Sequence, residues 1–320
     1  MSDVSTLQPT RGQDLWLTVL RWFDSWAGLE YMKTDGVPKM DWVRCFPLIA
    51  VHLMCLGIIW VGWSWTAVAV TVFFYYLRMF AITGWYHRYF SHRTFKTSRA
   101  VQFAFAVLGG SCAQRGPLWW AGHHRHHHIA SDTPDDVHSP RHGGFLWSHM
   151  GWFTSQTHFA PRLKNIQDFA KFPELRFLDR FDILVPTLAG FGMFGLGRLL
   201  EAYAPELGTN GPQMLIWGFF VSTVALVHGT CTINSLSHVY GSQRYVTGDD
   251  SRNNFILALV TLGAFSYKRL AIDMYPDVEI PVITIVTKFP GASPETVERE
   301  VTKRIEEAVN PIAGVKRVMS

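Results

Sequence analysis

The sequence predicts an α-helical integral membrane protein of four transmembrane helices with a cytosolic His-rich helical cap, followed by a short C-terminal α/β fragment. Three observations predict it. Apolar stretches of membrane-spanning length occur in two closely spaced pairs. Histidine clusters stand at the ends of those stretches. The composition changes abruptly near residue 264. Of the 320 residues, 48% are hydrophobic and 17% charged, against about 25% charged in a typical soluble domain. All 14 His and 13 Trp precede residue 264. After Gly263, 16 of 57 residues are charged, against 38 of the 263 before.

The elements follow in order. The opening MSDVSTLQPTRGQD lacks an apolar core of signal-peptide length, so the N-terminus is expected to stay in the cytosol. Residues 14–31 place Leu15, Val19, Trp22, Trp26 and Leu29 three and four apart. That is one Trp- and Leu-rich helical face, suited to lying on a bilayer. Residues 45–65 and 66–86 are each close to the roughly 20 residues that cross a hydrocarbon core. Arg78 is the only charge in the second, and aromatics gather at the ends of the pair. Residues 100–120 are moderately apolar, which fits a further span or a helix lying against the membrane. Residues 182–200 and 213–233 form a second hairpin around the polar linker EAYAPELGTNGP.

Two hairpins return the chain to its starting side. The loop 87–181 therefore shares a compartment with both ends of this unit. Arg88, Arg93, Lys96, Arg99, Arg125 and Arg141 mark that side as cytosolic. A bacterial inner membrane is the expected location.

The tail follows other rules. Residues 279–288 (EIPVITIVTK) alternate and are β-branched, which predicts a strand. Ser293 is a candidate N-cap and Pro294 suits the first helical position. Val297, Val301, Ile305 and Val309 then repeat at steps of four, predicting a helix over 294–309 that Asn310-Pro311 ends. Another strand is expected from Val315. So short a piece buries no core of its own.

The composition also excludes functions. A net charge of +4 is too small to draw a polyanion, so no nucleic-acid partner is expected. Cys45, Cys55, Cys112 and Cys231 lie in or near apolar stretches without CxxC spacing. They read as small buried hydrophobes, not as a disulfide framework.

The chemistry sits in three histidine groups. His87 and His92 stand in HRYFSH, directly after an apolar helix. His124, His127 and His128 stand in HRHHH. Asn234 and His238 stand in NSLSH, at the end of the last apolar stretch. On a helix, positions 124, 127 and 128 fall within about 100° of one another, one ligand face. His126 points away, and spacing alone leaves His123 open. Neutral imidazoles in such number suit a first-row metal. The absence of Cys disfavours structural zinc and iron–sulfur sites. No Glu-x-x-His ligand pattern of soluble di-iron bundles occurs. Polar clusters at the ends of membrane helices usually have a task. His52, His142, His149 and His158 read as hydrogen-bonded or surface residues.

These residues carry a resemblance. HRYFSH, WWAGHHRHHH, DTPDDVHSPRHGGFLWSHMGWF and INSLSHVYGSQRY resemble a membrane fatty acid desaturase of the acyl-CoA (stearoyl, delta-9) type, over about residues 14–263. The resemblance implies two non-haem irons and O2 as co-substrate. The electron donor would be of ferredoxin, rubredoxin or cytochrome b5 type. The fatty acyl substrate would be carried on CoA or another acyl carrier, within a lipid bilayer. By position it assigns His87 and His92 to the first box and His124, His127 and His128 to the second. His238 is assigned as the ligand on the fourth span, and Asn234 as the residue holding a metal-bound water. A related di-iron membrane hydroxylase would share these boxes.

The departure is as informative. After NNFILALVTLG the family continues into a third box of the type GEGWHNNHH; here Gly263 is followed by AFSYKRLAIDMYPDVEIP, and no His follows His238. Six of nine expected histidine ligands remain, so activity is expected to be impaired. The tail instead resembles the start of the porter domain of an RND-type efflux transporter, through PDVEIP, PGASPETVE and VTKRIEEAVN. The resemblance divides the chain into a desaturase-like membrane domain, 1–263, and a truncated transporter-like fragment, 264–320. A chimera of two unrelated genes is the reading. The alternative function is a transporter fragment fused to a desaturase remnant.

Overall fold

The computed structural model describes residues 11–31, 38–243, 248–267 and 293–309. Among these the chain is helical, with no strand and two isolated β-bridges, Met40–Ser155 and Ser242–Asn253. It groups into two compact units, Met1–Leu270 and Ala271–Ser320. The strands expected at 279–288 and from Val315 lie outside the described residues.

The first helix, α1 (Arg11–Leu20), is shorter than the 14–31 expected. The apolar period continues past Leu20, but the backbone turns. Gly28 takes a positive φ of 63°, and Arg21 Nε donates to Ala27 O at 2.9 Å, fastening the turn that ends the helix.

Among the described residues three helices are long and apolar enough to cross a membrane: α2 (Trp42–Val61), α3 (Trp65–Ser91) and α8 (Gly211–Val239). A fourth span exists if α6 (Pro173–Arg180) and α7 (Leu184–Tyr203), bent by 73°, count as one. The helix α4 (Arg99–Gly110) has 12 residues, about 18 Å of rise against roughly 30 Å of hydrocarbon. Of the two readings of 100–120, the structure therefore excludes a span. The second-box helix, α5 (Pro117–Ala130), follows it. The helix α9 (Phe255–Tyr267) packs against α3 and α8, and Tyr75 donates to Val260 O at 2.8 Å.

The two hairpin tips hold each other by polar contacts. Gln213 Nε2 donates to Val61 O at 3.0 Å, Ser64 Oγ donates to Gln213 Oε1 at 2.7 Å, and Trp217 Nε1 donates to Gly62 O at 2.8 Å. At the other end, a core of Ile82, Tyr86, Phe90, Leu118, Ile166 and Leu175 joins α3 and α5 to the segment 160–178.

Arg78, the lone charge of the apolar stretch 66–86, is fully buried. Its guanidinium donates to Ser111 O at 3.1 Å, Thr223 Oγ1 at 2.8 Å and Ser222 Oγ at 2.6 Å. A buried cation stays tolerable when acceptors surround it. Cys45, Cys112 and Cys231 are buried and all four cysteines are free, as expected of small hydrophobes.

In the second unit, α10 (294–309) begins where expected. Ser293 Oγ accepts from Thr296 N at 3.4 Å, which caps it.

Candidate metal centre

The first histidine pair is shaped by an irregular helix end. α3 closes in π-helical turns over Ala81–Ser91, and His92 N donates to His87 O at 3.1 Å. In an α-helix, residues five apart diverge by about 140°. The wider π-turn brings them back to one side, so His87 Nε2 and His92 Nε2 stand 3.1 Å apart.

The second box rides on α5. Asp179 Oδ1 accepts from Trp119 N at 2.7 Å, placing a carboxyl at the helix N-terminus where the dipole favours it. A Cβ on Gly116 would lie 2.3 Å from Asp179 Cα, so only glycine permits this approach. Arg125, about two turns on, fixes the helix to the first box. It donates to Phe90 O, Ser91 O and Asn165 O at 2.6, 2.9 and 2.8 Å. It also grips Asp168 with two bonds of 2.8 and 3.0 Å.

His124 and His128, four apart, stand with their Nε2 atoms 2.9 Å from each other. His87, His92, His124 and His128 each offer one nitrogen, and these four atoms lie within 4.8 Å of one another. His127 does not join them. Its Nδ1 donates to Asp136 Oδ2 at 3.0 Å, and its ring lies 6.0 Å from that of His238. His238 Nδ1 in turn donates to Asp132 Oδ2 at 2.9 Å. The single ligand face expected at 124, 127 and 128 is thus divided: two of its imidazoles meet the first box, and the third turns toward the end of α8.

The two carboxyl groups are themselves held. Asp132 accepts from Ser139 Oγ at 2.6 Å and Asp250 N at 2.8 Å. Asp136 accepts from Asp132 N and His138 N at 2.9 and 3.2 Å. A carboxylate on Nδ1 fixes the tautomer and directs Nε2 outward, as in metal sites generally. The sequence reading missed both aspartates. Their signal was the DTPDDVH segment directly after the second box.

Other histidines are committed elsewhere. His123 Nε2 donates to Ala160 O at 3.1 Å, and its Nδ1 accepts from Arg162 at 3.3 Å. His126 donates to Asp135 O and His142 to Asp132 O. His52, His228 and His149 form a string, with nitrogens 3.2 and 2.9 Å apart, that ends on Ser235 Oγ. His158 is buried, with Nδ1 unpartnered. His138 is buried beside His127, ring centres 4.1 Å apart.

The donor set suits a metal ion. Burial, then neighbouring imidazoles, hold His124 well below the usual imidazole range. Burial, then His92 and His127, lower His128 to about 4. Burial, then Arg125 and Arg88, lower His92. These rings are neutral at neutral pH and carry free lone pairs, the form a metal binds.

A cavity of about 750 Å³ reaches this centre. His124, His138 and Asn234 line it at the metal end, and Val51, Phe191, Phe219 and Val227 line it among the spans. Arg44 and Arg115 also border it. Asn234 is held by its backbone, whose carbonyl accepts from Ser148 Oγ at 2.7 Å.

Comparison with known proteins supplies the family. The profile of the family described as fatty acid desaturase matches residues 63–267. The sn-1 stearoyl-lipid 9-desaturase of Anabaena variabilis is 32% identical over 235 residues, covering 72% of this chain and 80% of that protein. The acyl-CoA 5-desaturase AL21 of Anemone leveillei is 33% identical over 242 residues, 72% of this chain and 71% of its own. The delta-9 acyl-lipid desaturase 1 of Arabidopsis thaliana is 31% identical over 228 residues, 70% of each. The profile of the AcrB/AcrD/AcrF family matches residues 254–320, so two family patterns meet in one chain and overlap within α9. Through residues 63–267, the chain belongs to the fatty acid desaturase family of oxidoreductases.

Proposed function

We propose that the membrane unit is a fatty acyl desaturase body that seats an acyl chain against a histidine-built iron centre. The observation that carries this reading is the cavity, which runs from apolar walls among the spans to His124 and Asn234. A methylene chain fills such a space because burial of apolar surface is favourable by about 25 cal/mol per Å². Its aromatic and aliphatic walls exclude water from the reacting carbons.

His87, His92, His124 and His128 would hold one iron, and His127 and His238 would contribute to a second. Asn234 would hold a water beside the pair. Bound iron, with O2 and two electrons, supplies the oxidising power that removes hydrogen from an unactivated methylene, which no side chain provides. In the overall reaction a CH2–CH2 unit, O2, two electrons and two protons give CH=CH and two waters. Asp132 and Asp136 hold the ring protons of His238 and His127 at Nδ1, keeping each Nε2 directed to the metal side.

An acyl carrier such as CoA or a lipid headgroup, and a ferredoxin, rubredoxin or cytochrome b5 type donor, complete the proposed reaction. The basic flanks of its helices support a cytosolic position for the centre. We read 1–263 as the desaturase domain and 264–320 as a transporter-like fragment that replaces the third histidine box. The second iron position then keeps two imidazoles, and turnover of the chain as it stands is impaired. Expression in a desaturase-deficient host, with fatty acid analysis, tests the reading. Replacing the residues after Gly263 by a family-type ending should yield an unsaturated product; a saturated profile from that folded, iron-loaded variant would contradict it.

A further inference from the structure

We propose that this chain is a one-metal protein: His87, His92, His124 and His128 hold a single first-row divalent ion, and His127 with His238 holds none tightly. The inference rests on the ligand assignment above and deepens it.

The geometry separates the two positions. Around a tetrahedral ion with metal–nitrogen bonds near 2.0–2.1 Å, ligand nitrogens stand about 3.4 Å apart. The first set is already close to this, with its four nitrogens within 4.8 Å and two pairs at 3.1 and 2.9 Å. In each short pair one neutral ring donates its Nε2–H to the other's Nε2; when that proton shifts to Nδ1 of its own ring, both Nε2 lone pairs are free for an ion. The ion enters with little movement, because π-turns fix His87 and His92 while Arg125 locks α5 to the first box. Four rigid neutral donors complete a coordination shell without further help.

The second position is poorer in free donors. Among the described residues His127, Asp136 and His138 form a group whose ligand atoms lie within 4.8 Å of one another, but His238 is not part of it, and Asp136 already accepts from His127 Nδ1, Asp132 N and His138 N. His138 is the nearest candidate, but its ring lies tilted alongside that of His127, 4.1 Å away at 37°. Its Nδ1 sits 3.8 Å from Asp136 Oδ1. That Nδ1 is buried without a hydrogen-bond partner, but the carboxylate between it and His127 is already committed to the His127 ring proton. His123 has both nitrogens engaged. No histidine follows His238 anywhere in the chain. Two imidazoles without a third leave at least half of a tetrahedral shell to water.

The test is zinc or cobalt binding by the purified full-length chain in detergent, read by calorimetry and by metal content after gel filtration. One tightly held ion per chain is expected. His92→Ala and His128→Ala, both at exposed rings, should weaken it at least tenfold. His127→Ala and His238→Ala should leave it within a factor of two or three. Cobalt gives a second readout, since the visible bands of a four-nitrogen site should change in His92→Ala and persist in His238→Ala. Circular dichroism and melting establish that each variant is folded. Two tightly held ions per chain would overturn the inference. One ion lost in His127→Ala but kept in His92→Ala would overturn it too, while leaving the desaturase reading intact. A folded chain that binds neither metal would overturn both.

Discussion

Asp132 and His238, 106 residues apart, are joined by a hydrogen bond of 2.9 Å from His238 Nδ1 to Asp132 Oδ2. This bond ties the loop after the second histidine box to the end of α8. Asp132 adopts a positive φ of 55° to make it, a backbone state that non-glycine residues rarely take. The same carboxyl accepts from Ser139 and from the backbone of Asp250, so one side chain organises three segments.

Substituting Asp132 should therefore act on the second metal position alone. In a chain given a family-type third box, Asp132→Ala is expected to lower iron affinity or activity by roughly 10–100-fold. In the natural chain, zinc binding at the four-histidine set should be unchanged. Metal content of both purified proteins checks this, and equal losses in both would count against the division of the ligands.

Arg125 is expected to matter through position, not through contact with metal. Its side chain is 12% exposed, and Asp168 is 29% exposed. Removing one partner of a buried pair costs about 3–5 kcal/mol, less where solvent reaches it. Asp168→Ala should therefore lower stability by about 2 kcal/mol, seen as a lower melting temperature in detergent. An unchanged melting temperature would show that the backbone carbonyls alone hold Arg125.

Gly116 is a steric requirement. A methyl group there meets the Asp179 backbone at 2.3 Å, which no rotamer change relieves. Gly116→Ala should destabilise by about 2 kcal/mol through forced backbone movement. Gly192, which has open space around its Cα, is the control: Gly192→Ala should be near neutral in the same melting assay.

His158 gives a pH dependence. Burial, then Arg162 and His126, lower it from 6.5 to about 4. The unfolded chain therefore binds a proton at higher pH than the folded one. This contribution is fully present above about pH 6.5 and is lost as pH falls toward 4. Melting temperature should drop between pH 7 and pH 4.5, and His158→Gln should drop less over the same range. A parallel fall in both proteins would assign the acid sensitivity to other groups.

The spans were legible in the sequence because hydrocarbon thickness sets their length and leaves a run of apolar residues. The end of α1 was not, since the Trp and Leu period runs on through a turn fixed by Arg21 and Gly28. The three histidine groups were legible by residue type and by their place at helix ends. Their partition was not. It depends on a π-turn, for which the five-residue step from His87 to His92 was the signal, and on Asp136 drawing His127 away from His124 and His128. The cavity was invisible because its walls come from distant segments, such as Val51, Phe191 and Val227, that only packing brings together. The helix at 294–309 was legible from Ser293, Pro294 and a four-residue apolar step.

The central claim is that a desaturase body here lacks part of its second iron position. The most direct measurement is iron per chain together with conversion of an acyl substrate, made on the natural chain and on one whose residues after Gly263 carry a third histidine box. Fewer than two irons and little or no unsaturated product from the natural chain, with two irons and turnover in the restored one, is the expected result. Two tightly held irons and turnover in the natural chain would contradict it.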